Sequence, residues 1–387
     1  MLTMCFWLFL AVVFYTYLGY GVVVWAGARL ARGRARPCLP PFEPAVTLVV
    51  TAYNEVDGLE AKILNCLAQD YPAGKLHLLF ITDGSYDNSG TVLARFPAVW
   101  HLHQSRRASK AMTENRAMRH VQTPFVVFTD CNTLLNPGAV RALVRHYADP
   151  RVGAVSGERR VLTDNRASGP GQRLYWRYES LLKRCGSDIH SLMGTAGELV
   201  SFRTALFRPL EADTILGDFI QSMRIVEAGY RVVYEPRAYA LEPPPYSLKE
   251  ELERMVRICA GGWQAMSRLP GLLRPWRQPV VSFLYLSHRV LRWSLTPLLL
   301  VLLLPLNATL AATKGGPYAL LLALQAGFYA AAAAGGLLAA WGRPAGPLVG
   351  PLYFTLLNVA AFGGCRRFVS RTQPAACKKA RRTVALG

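Results

Sequence analysis

The chain has 387 residues, 52% of them hydrophobic, and its 44 lysines and arginines outnumber 24 aspartates and glutamates to give a formal net charge of +20. So apolar a composition is unusual for a soluble enzyme of this size and indicates membrane spans. The positive charge fits attraction to anionic lipid headgroups, and no nucleic-acid-binding signature accompanies it, so we expect no nucleic-acid partner. The eight cysteines form no CxxC pair or metal-ligand spacing, which favours reduced thiols in a cytosolic domain.

The first predicted element is a transmembrane helix at residues 1–28. The stretch 5–28 carries no formal charge and is long enough to cross a hydrocarbon core of about 30 Å. A cleaved signal peptide is the alternative, but no basic residue precedes the apolar run, which is also longer than the roughly 7 to 15 residues of such a segment. The linker that follows, residues 29–45, is rich in arginine, which places it in the cytosol and the N-terminus outside.

Short apolar runs alternate with helix-length segments after this linker. Uninterrupted runs of β-branched and apolar residues, such as VTLVV, are typical of buried strands. We predict strands at 46–50, 76–81, 99–103 and 125–128, with helices at 58–69, 88–96 and 110–121. This alternation predicts an α/β fold with a mostly parallel sheet that is covered by helices on both faces.

Polar clusters follow three of the predicted strands, at the edge where an open α/β sheet binds its ligand. They contain Tyr53 and Glu55, then Asp83, then Asp130 with Asn132. Magnesium and manganese prefer oxygen ligands, and an ion held by the last pair would neutralise a departing diphosphate as a Lewis acid. Each aspartate alone is equally typical of a turn or a helix cap, so the spacing leaves both interpretations open.

The segments TAYNE, ITDGSYDNSG, SKAMTEN and FTDCNTLL, in this order and spacing, resemble the family 2 glycosyltransferases. The resemblance covers 46–263 and the flanking spans, in particular to the bacterial membrane-bound branch related to cellulose, hyaluronan and poly-N-acetylglucosamine synthases. It implies an inverting sugar transfer on a nucleotide-sugar-binding domain of the GT-A type, with a UDP-sugar as the usual donor.

The resemblance also implies roles at the donor site. Tyr53 and Glu55 match positions that line the uridine pocket, and Asp83 matches the aspartate that contacts the nucleoside. Lys110 lies in ASKA, where the family usually has GGKA, and its counterpart faces the diphosphate.

A metal and a catalytic base are implied in the same way. Asp130 matches the first acid of the DxD metal motif and Asn132 replaces the second, so magnesium or manganese is the expected cofactor. The stretch DTILGDFIQ resembles the segment that carries the base, and Asp218 is our candidate, because a carboxylate must take the proton of the attacking acceptor hydroxyl. Gly217 precedes it where the family commonly has an acid, and Asp218 also suits the N-cap of a helix at 219–228.

The acceptor side departs from the family pattern. The segment GTAGELV resembles the loop and strand that shape the acceptor site, where Gly197 lets a sugar approach closely. In the QxxRW motif of processive synthases, Arg257 keeps the arginine and is expected to bind the diphosphate, but Ile258 stands where tryptophan is expected. Trp263 lies five residues later and is the aromatic candidate for contact with the acceptor. The missing tryptophan puts long-chain processivity in doubt.

Three more apolar runs without formal charge lie at 293–313, 315–342 and 344–364. We predict a cytosolic domain at 46–270 that ends in an amphipathic interfacial helix, an interfacial segment at 271–292 and transmembrane helices within 293–365. Three spans place the tail at 366–387 outside, whereas its basic residues favour the cytosol. Either one run is re-entrant or the stretch 280–293 contains a further membrane element.

Together these features predict an integral protein of a bacterial inner membrane that uses a nucleotide sugar to extend a cell-surface polysaccharide. The expected partners are the donor, a glycan or lipid acceptor, membrane lipids and accessory export subunits. The alternative is non-processive transfer of a single sugar to a lipid or lipid-linked acceptor. A membrane scaffold without activity is a third hypothesis, against which the intact Asp83, Asp130 and Asp218 argue.

Overall fold

The computed structural model of the chain describes residues 1–32, 41–162, 170–195, 197–243, 247–343 and 345–376. Its strands are β1 (Val46–Ala52), β2 (Leu76–Asp83), β3 (Val99–Gln104), β4 (Phe125–Asp130), β5 (Leu134–Leu135), β6 (Val152–Val161), β7 (Leu199–Arg203) and β8 (Arg231–Glu242). They form one eight-stranded sheet in the order β3-β2-β1-β4-β7-β6-β8-β5.

The four predicted strands begin where the sequence pattern places them and extend one or two residues further. β1 pairs in parallel with β2 and β4, and β2 in parallel with β3, so the mostly parallel sheet is confirmed. β7 runs antiparallel between β4 and β6, and the short β5 runs antiparallel to β8. The strands of the parallel half therefore end at one edge, and the antiparallel β7 begins at that edge, where Leu199 pairs with Thr129.

The α-helices, in chain order, are α1 (Leu2–Phe14), α2 (Tyr20–Arg32), α3 (Val56–Leu67), α4 (Ser89–Ala94), α5 (Lys110–Met118), α6 (Ala139–Val144), α7 (Pro170–Ile189), α8 (Gly217–Glu227), α9 (Leu248–Arg268), α10 (Pro279–Tyr285), α11 (Leu291–Trp293), α12 (Leu295–Lys314), α13 (Pro317–Ala340) and α14 (Val349–Val369). Short π-helical turns at Tyr15–Gly19 and Leu286–Val290 join α1 to α2 and α10 to α11. Helix α5 begins at Lys110 because the Ser109 side chain caps it, accepting a hydrogen bond from the N–H of Met112 at 3.4 Å.

Four helical segments are long and apolar enough to cross a membrane: Leu2–Ala31, Leu295–Lys314, Pro317–Ala340 and Gly346–Val369. The first packs on the hairpin of α12 and α13 at its far end. There Lys314 donates a hydrogen bond to Thr3 at 2.8 Å, and the rings of Phe6 and Tyr318 meet edge to face at 5.6 Å. The N-terminus and the turn between α12 and α13 therefore lie at the end of the bundle that is remote from the sheet.

Helix α14 lies along α9 of the catalytic domain. The Tyr353 hydroxyl donates to Glu251 at 3.0 Å. Further along, a Cβ added at Gly364 would lie 2.4 Å from the Cβ of Cys259, so glycine lets the two helices approach closely. The chain after α14 returns to the domain, where the carbonyl of Ala375 accepts a hydrogen bond from Arg257 at 3.3 Å. This packing fits the re-entrant alternative for the third apolar run and keeps the chain up to residue 376 on the domain side. The basic segments 33–40 and 377–387 lie outside the described residues.

Candidate active site

The loops after β1 and β2 are held together by side-chain hydrogen bonds. The N–H of Asn54 donates to the Ser85 hydroxyl at 3.0 Å, and the Asn54 side chain accepts from the N–H of Tyr86 at 3.0 Å. Asp87 accepts from the N–H of Val56 at 3.0 Å, at the start of α3. The polar segment YDNSG therefore has a structural task, which is to bring the ends of the two strands together.

Asp83 ends β2 and anchors the loop before α5. Its carboxylate accepts hydrogen bonds from the N–H of Ala108 at 3.1 and 3.0 Å. The guanidinium of Arg107 in the same loop lies 3.6 Å from the centre of the Tyr53 ring. Gly84 has φ +70°, and an added Cβ would lie 2.6 Å from the backbone nitrogen of Arg107, so only glycine fits. Tyr53 and Asp83, predicted at the nucleoside, thus share one wall of the site.

Lys110 connects the end of β4 to the loop before β7. Its Nζ donates to Asp130 Oδ1 at 2.5 Å and to the carbonyl of Gly197 at 3.0 Å. Burial opposes the charge of this lysine, but Asp130 and Glu114 outweigh it and raise the pKa of Lys110 above its ordinary value. The ammonium therefore stays protonated and available to an anionic ligand.

Asp218 lines the same cavity near Lys110, in the first turn of α8 and not at its N-cap, which is Leu216. Burial raises the pKa of Asp218 to about 6, although the charge of Lys110 opposes the shift. The loop before β7 passes between the two groups: a Cβ added at Gly197 would lie 3.1 Å from Lys110 Nζ and 3.3 Å from Asp218 Cγ. A carboxyl that titrates near neutral pH is suited to accept a proton.

Glu114 is a buried acid at this site that the sequence reasoning missed. It lies one turn after Lys110 on α5, and burial, with the charge of Asp218 adding to it, raises the pKa of Glu114 to about 7. Its Oε2 lies 3.6 Å from where a Cβ at Gly217 would stand. A carboxyl group from α5 thus lies beside Gly217, the position before Asp218. Two sequence features could have indicated this acid: the glutamate in SKAMTEN and the glycine before Asp218. Their proximity appears only in the structure.

The end of β4 offers oxygen ligands to a cation. Asp130 and Asn132 both line the cavity, and Lys62 holds their turn from behind, donating to the Thr133 carbonyl at 2.7 Å and the Thr129 hydroxyl at 3.1 Å. No three His, Cys, Asp or Glu side chains are grouped for a metal in the described parts of the chain. One carboxylate and one amide nevertheless fit a magnesium or manganese ion that takes its other ligands from phosphate and water.

Helix α9 brings Arg257 and Ile258 to the cavity. One Arg257 nitrogen, Nη2, donates to the carbonyl of Ile215 at 2.9 Å as well as to Ala375. Arg257 thus stands between the loop before α8 and the chain that follows α14. Its predicted neighbour Trp263 is half-buried on the same helix and is absent from the cavity lining in the described residues.

The indole that does face the cavity belongs to Trp293. This residue of α11 packs edge to face on Phe219 with ring centroids 5.5 Å apart. It also covers Gly262, where an added Cβ would lie 2.5 Å from the ring. Among the described residues, Trp293 therefore lines the cavity and Trp263 does not.

A single cavity of about 1080 Å³ joins these groups. It is lined by nine of the predicted site residues: Tyr53, Glu55, Asp83, Lys110, Asp130, Asn132, Gly197, Asp218 and Arg257. At its other end it reaches Tyr17 and Leu18 of the first apolar helix and Phe354 and Leu357 of α14. The cavity therefore runs from the strand ends to the helices that could enter a membrane.

The mixed sheet, the aspartate at the end of β4 and the second carboxylate in the same cavity are those of a GT-A type glycosyltransferase. A solved structure supports this fold: the mannosyltransferase PcManGT from Pyrobaculum calidifontis, in complex with GDP-Man and Mn2+, aligns with a TM-score of 0.70 at 22% identity. The alignment covers 95% of this chain and 99% of that one. The structural similarity therefore includes the apolar helices that precede and follow the sheet in the chain.

The model of the family described as "Glycosyltransferase like family 2" matches residues 44–261, and the chain belongs to this family. Similar proteins include the poly-beta-1,6-N-acetyl-D-glucosamine synthase of Staphylococcus aureus strain MSSA476, 25% identical over 58% of this chain and 56% of that one. An N-acetylglucosaminyltransferase of Rhizobium sp. strain N33 is 26% identical over 67% of this chain and 60% of its own length. The chain thus spans little more than half the length of these curated relatives.

Proposed function

We propose that the chain transfers a sugar, with inversion at the anomeric carbon, from a nucleotide sugar to a hydroxyl of an acceptor at the membrane surface. The observation that carries the proposal is that Asp218, whose carboxyl has a pKa raised to about 6, lines the same cavity as the Lys110–Asp130 pair. A proton acceptor and a cation in one cavity suit attack by a hydroxyl and departure of a diphosphate.

In this proposal the nucleoside lies between Tyr53, Glu55 and Asp83. The loops that carry these residues are joined by hydrogen bonds without a ligand. Lys110 and Arg257 reach the diphosphate, and both are cationic side chains that line the cavity. The proposed donor is a UDP-sugar, and the names of the relatives make UDP-N-acetylglucosamine the first one to test.

Asp130 and Asn132 would hold magnesium or manganese, and the bound ion would supply further neutralisation of the leaving diphosphate. The Mn2+ in the mannosyltransferase complex supports a metal in this fold. The groups of this chain do the rest: Lys110 is protonated and hydrogen-bonded to Asp130, and it stands where it can contact the diphosphate as the negative charge grows.

The chemical step is a single displacement. The acceptor oxygen forms a bond to the anomeric carbon while the bond from that carbon to the diphosphate oxygen breaks. The electron pair leaves with the nucleoside diphosphate, and the hydroxyl proton passes to the Asp218 carboxylate. Gly197 places no side chain against Lys110 and Asp218, so both groups stay free to face the reacting sugar.

The acceptor is either a growing polysaccharide, as the synthase relatives suggest, or a lipid-linked molecule that receives one sugar. Two observations favour the second. Ile258 lines the cavity where a processive synthase has tryptophan. Within the described residues, no residue of α12 or α13 lines the cavity. At the end remote from the sheet, the space between α1, α12 and α13 is filled by Phe6, Leu303, Leu310 and Tyr318.

We further propose that the domain faces the cytosol of a bacterial inner membrane. The arginines after the first apolar helix support this orientation, and the chain after α14 returns to the domain as far as Ala375. Accessory export subunits remain an expectation for the polysaccharide alternative.

The test is transfer by the purified full chain in lipid nanodiscs. Individual UDP-sugars and GDP-mannose are supplied with magnesium or manganese, and nucleoside diphosphate release and product length are both measured. We expect metal-dependent release with one donor, lost on chelation and restored by adding back the metal. Polymer would support the polysaccharide alternative and a single glycolipid the other. Folded protein that releases no nucleoside diphosphate from any donor would contradict the proposed function.

A further inference from the structure

A cluster of basic residues lines the end of the cavity nearest the apolar helices, and the transfer step described above assigns it no role. Lys183 of α7 and Arg289 and Arg292 of the segment before α12 line this end and bring three positive charges. Glu179 brings one negative charge and pairs with Arg292. The His288 imidazole also lies here, and burial lowers its pKa to about 4, so it adds no charge at neutral pH.

The cluster lies between the proposed base and the first apolar helix. On one side, the Arg289 guanidinium lies 5.9 Å from the centre of the Phe219 ring, next in sequence to Asp218. On the other side, the Arg292 guanidinium lies 5.7 Å from the ring of Tyr17, within the first apolar helix. A molecule that enters from the membrane surface therefore meets these cations before it reaches Asp218.

The surroundings of Lys183 destabilise its positive charge. Burial lowers the pKa of Lys183, with Glu179 opposing the shift and Arg289 adding to it. An anion bound beside Lys183 and Arg289 would relieve this repulsion and gain charge-assisted hydrogen bonds.

We propose that this cluster binds the phosphate or diphosphate of a lipid-linked sugar, the acceptor whose sugar hydroxyl is presented to Asp218. The lipid chain then lies toward Tyr17, Leu18, Phe354 and Leu357, the apolar lining of the same end. The phosphate thus fixes the distance between the membrane and the reacting hydroxyl. This inference rests on the proposed function, from which it takes the base and the direction of attack.

The test compares two acceptors that differ only in the anion. One is octyl diphosphate-linked N-acetylglucosamine, and the other is octyl N-acetylglucosaminide, which presents the same sugar and chain without phosphate. Binding of each radiolabelled acceptor to full-length protein in nanodiscs is measured without donor, so that the result does not depend on turnover. We expect the diphosphate-linked acceptor to bind at least about tenfold more tightly, the worth of one charge-assisted contact.

The variant Lys183→Gln should remove most of that preference, and Lys183→Arg should restore it. Lys249→Gln is the matched control, because Lys249 is an exposed lysine of α9 outside the cavity lining. In turnover, Lys183→Gln should raise the acceptor KM and leave the donor KM unchanged, a split that a merely structural role would not produce. A thermal melt close to that of the wild type confirms that the variant folds.

Three outcomes would overturn the inference. The two acceptors bind equally, or Lys183→Gln binds the diphosphate-linked acceptor as the wild type does. Alternatively, inorganic phosphate binds as tightly as the lipid-linked form, which would make the cluster a site for a soluble anion. Failure of the proposed function looks different: no nucleoside diphosphate is released from any donor, while acceptor binding and its dependence on Lys183 persist.

Discussion

Lys110 Nζ lies 2.5 Å from Asp130 Oδ1, so the two residues that we place at the diphosphate are already paired with each other. The pair is half-exposed to the cavity, with 35% of the lysine side chain and 29% of the aspartate side chain accessible. A bound diphosphate and its metal would therefore compete for both partners. The ion pair holds the site ready in the absence of donor, because neither charge is left uncompensated.

Replacing Lys110 by methionine should weaken donor binding and slow transfer, because it removes a cation from the diphosphate and leaves Asp130 unpaired. We expect kcat/KM to fall about 100-fold, the worth of a charge-assisted contact in a partly desolvated site. Steady-state nucleoside diphosphate release and calorimetric titration with the donor measure the two effects. Lys75→Met is the control, since Lys75 is exposed and its ammonium donates to the Glu43 carbonyl, away from the cavity lining. Unchanged donor affinity in Lys110→Met would contradict the assignment.

Asp218→Asn should abolish transfer and spare donor binding. An amide keeps the shape of the carboxyl but cannot take the acceptor proton, so kcat should fall by about 10³-fold while the donor dissociation constant stays within about twofold. Asp213→Asn provides the control, because Asp213 lies on the surface and pairs with Arg268. Turnover of Asp218→Asn near the wild-type rate would show that another group is the base.

The raised pKa of Asp218 predicts how transfer depends on pH. The base must be ionised, so the rate should rise as pH increases through about 6 and level off above it. At pH 5, one unit below the pKa, the rate should be about tenfold below its plateau. The measurement is kcat/KM for the acceptor between pH 5 and 8 at saturating metal. The residual activity of Asp218→Asn should show no such limb, and a flat wild-type profile would argue against this base.

The parallel half of the sheet and its ligand edge could be predicted because β1, β2 and β4 are mostly apolar or β-branched and are followed directly by polar residues. The placement of α14 could not be predicted from composition. The composition of an apolar run does not say what it packs against, and the close approach of Gly364 to Cys259 depends on the positions of both helices. Glu114 was missed for a similar reason, since its role depends on the space left by Gly217 on another helix. Trp293 replaced Trp263 at the cavity because the path of the chain after α9 sets which indole faces inward.

Gly197→Ala tests whether Lys110 and Asp218 need a glycine beside them. The added methyl would lie 3.1 Å from Lys110 Nζ and 3.3 Å from Asp218 Cγ, so it would displace one or both of these side chains from their positions. We expect kcat to fall at least about tenfold with only a small change in melting temperature, since a misplacement near 1 Å can be costly to catalysis. Gly58→Ala on α3 is the matched control: its Cβ meets nothing within 4 Å, and alanine should stabilise the helix by up to about 1 kcal/mol. Equal activity of the two variants would show that the glycine is not needed.

Glu114 predicts a stability effect whose sign depends on pH. Burial raises the pKa of Glu114 from 4.5 to about 7, so between these values the folded chain binds more protons than the unfolded chain and loses stability as pH rises. The attraction to Lys110 does not offset the cost of burying the charge, because the net shift is upward. Glu114→Gln removes that cost, since the amide fills the same space without titrating. Its melting temperature at pH 8 should exceed that of the wild type by about 5 °C, a stabilisation on the order of 2 kcal/mol. At pH 5 the wild-type glutamate is mostly protonated and the advantage should nearly vanish.

Glu60→Gln is the control, since Glu60 is exposed and pairs with Arg95 on the surface. A difference between Glu114→Gln and the wild type that is the same at pH 5 and pH 8 would mean that Glu114 does not titrate in this range, and that it does not act as the buried acid beside Asp218.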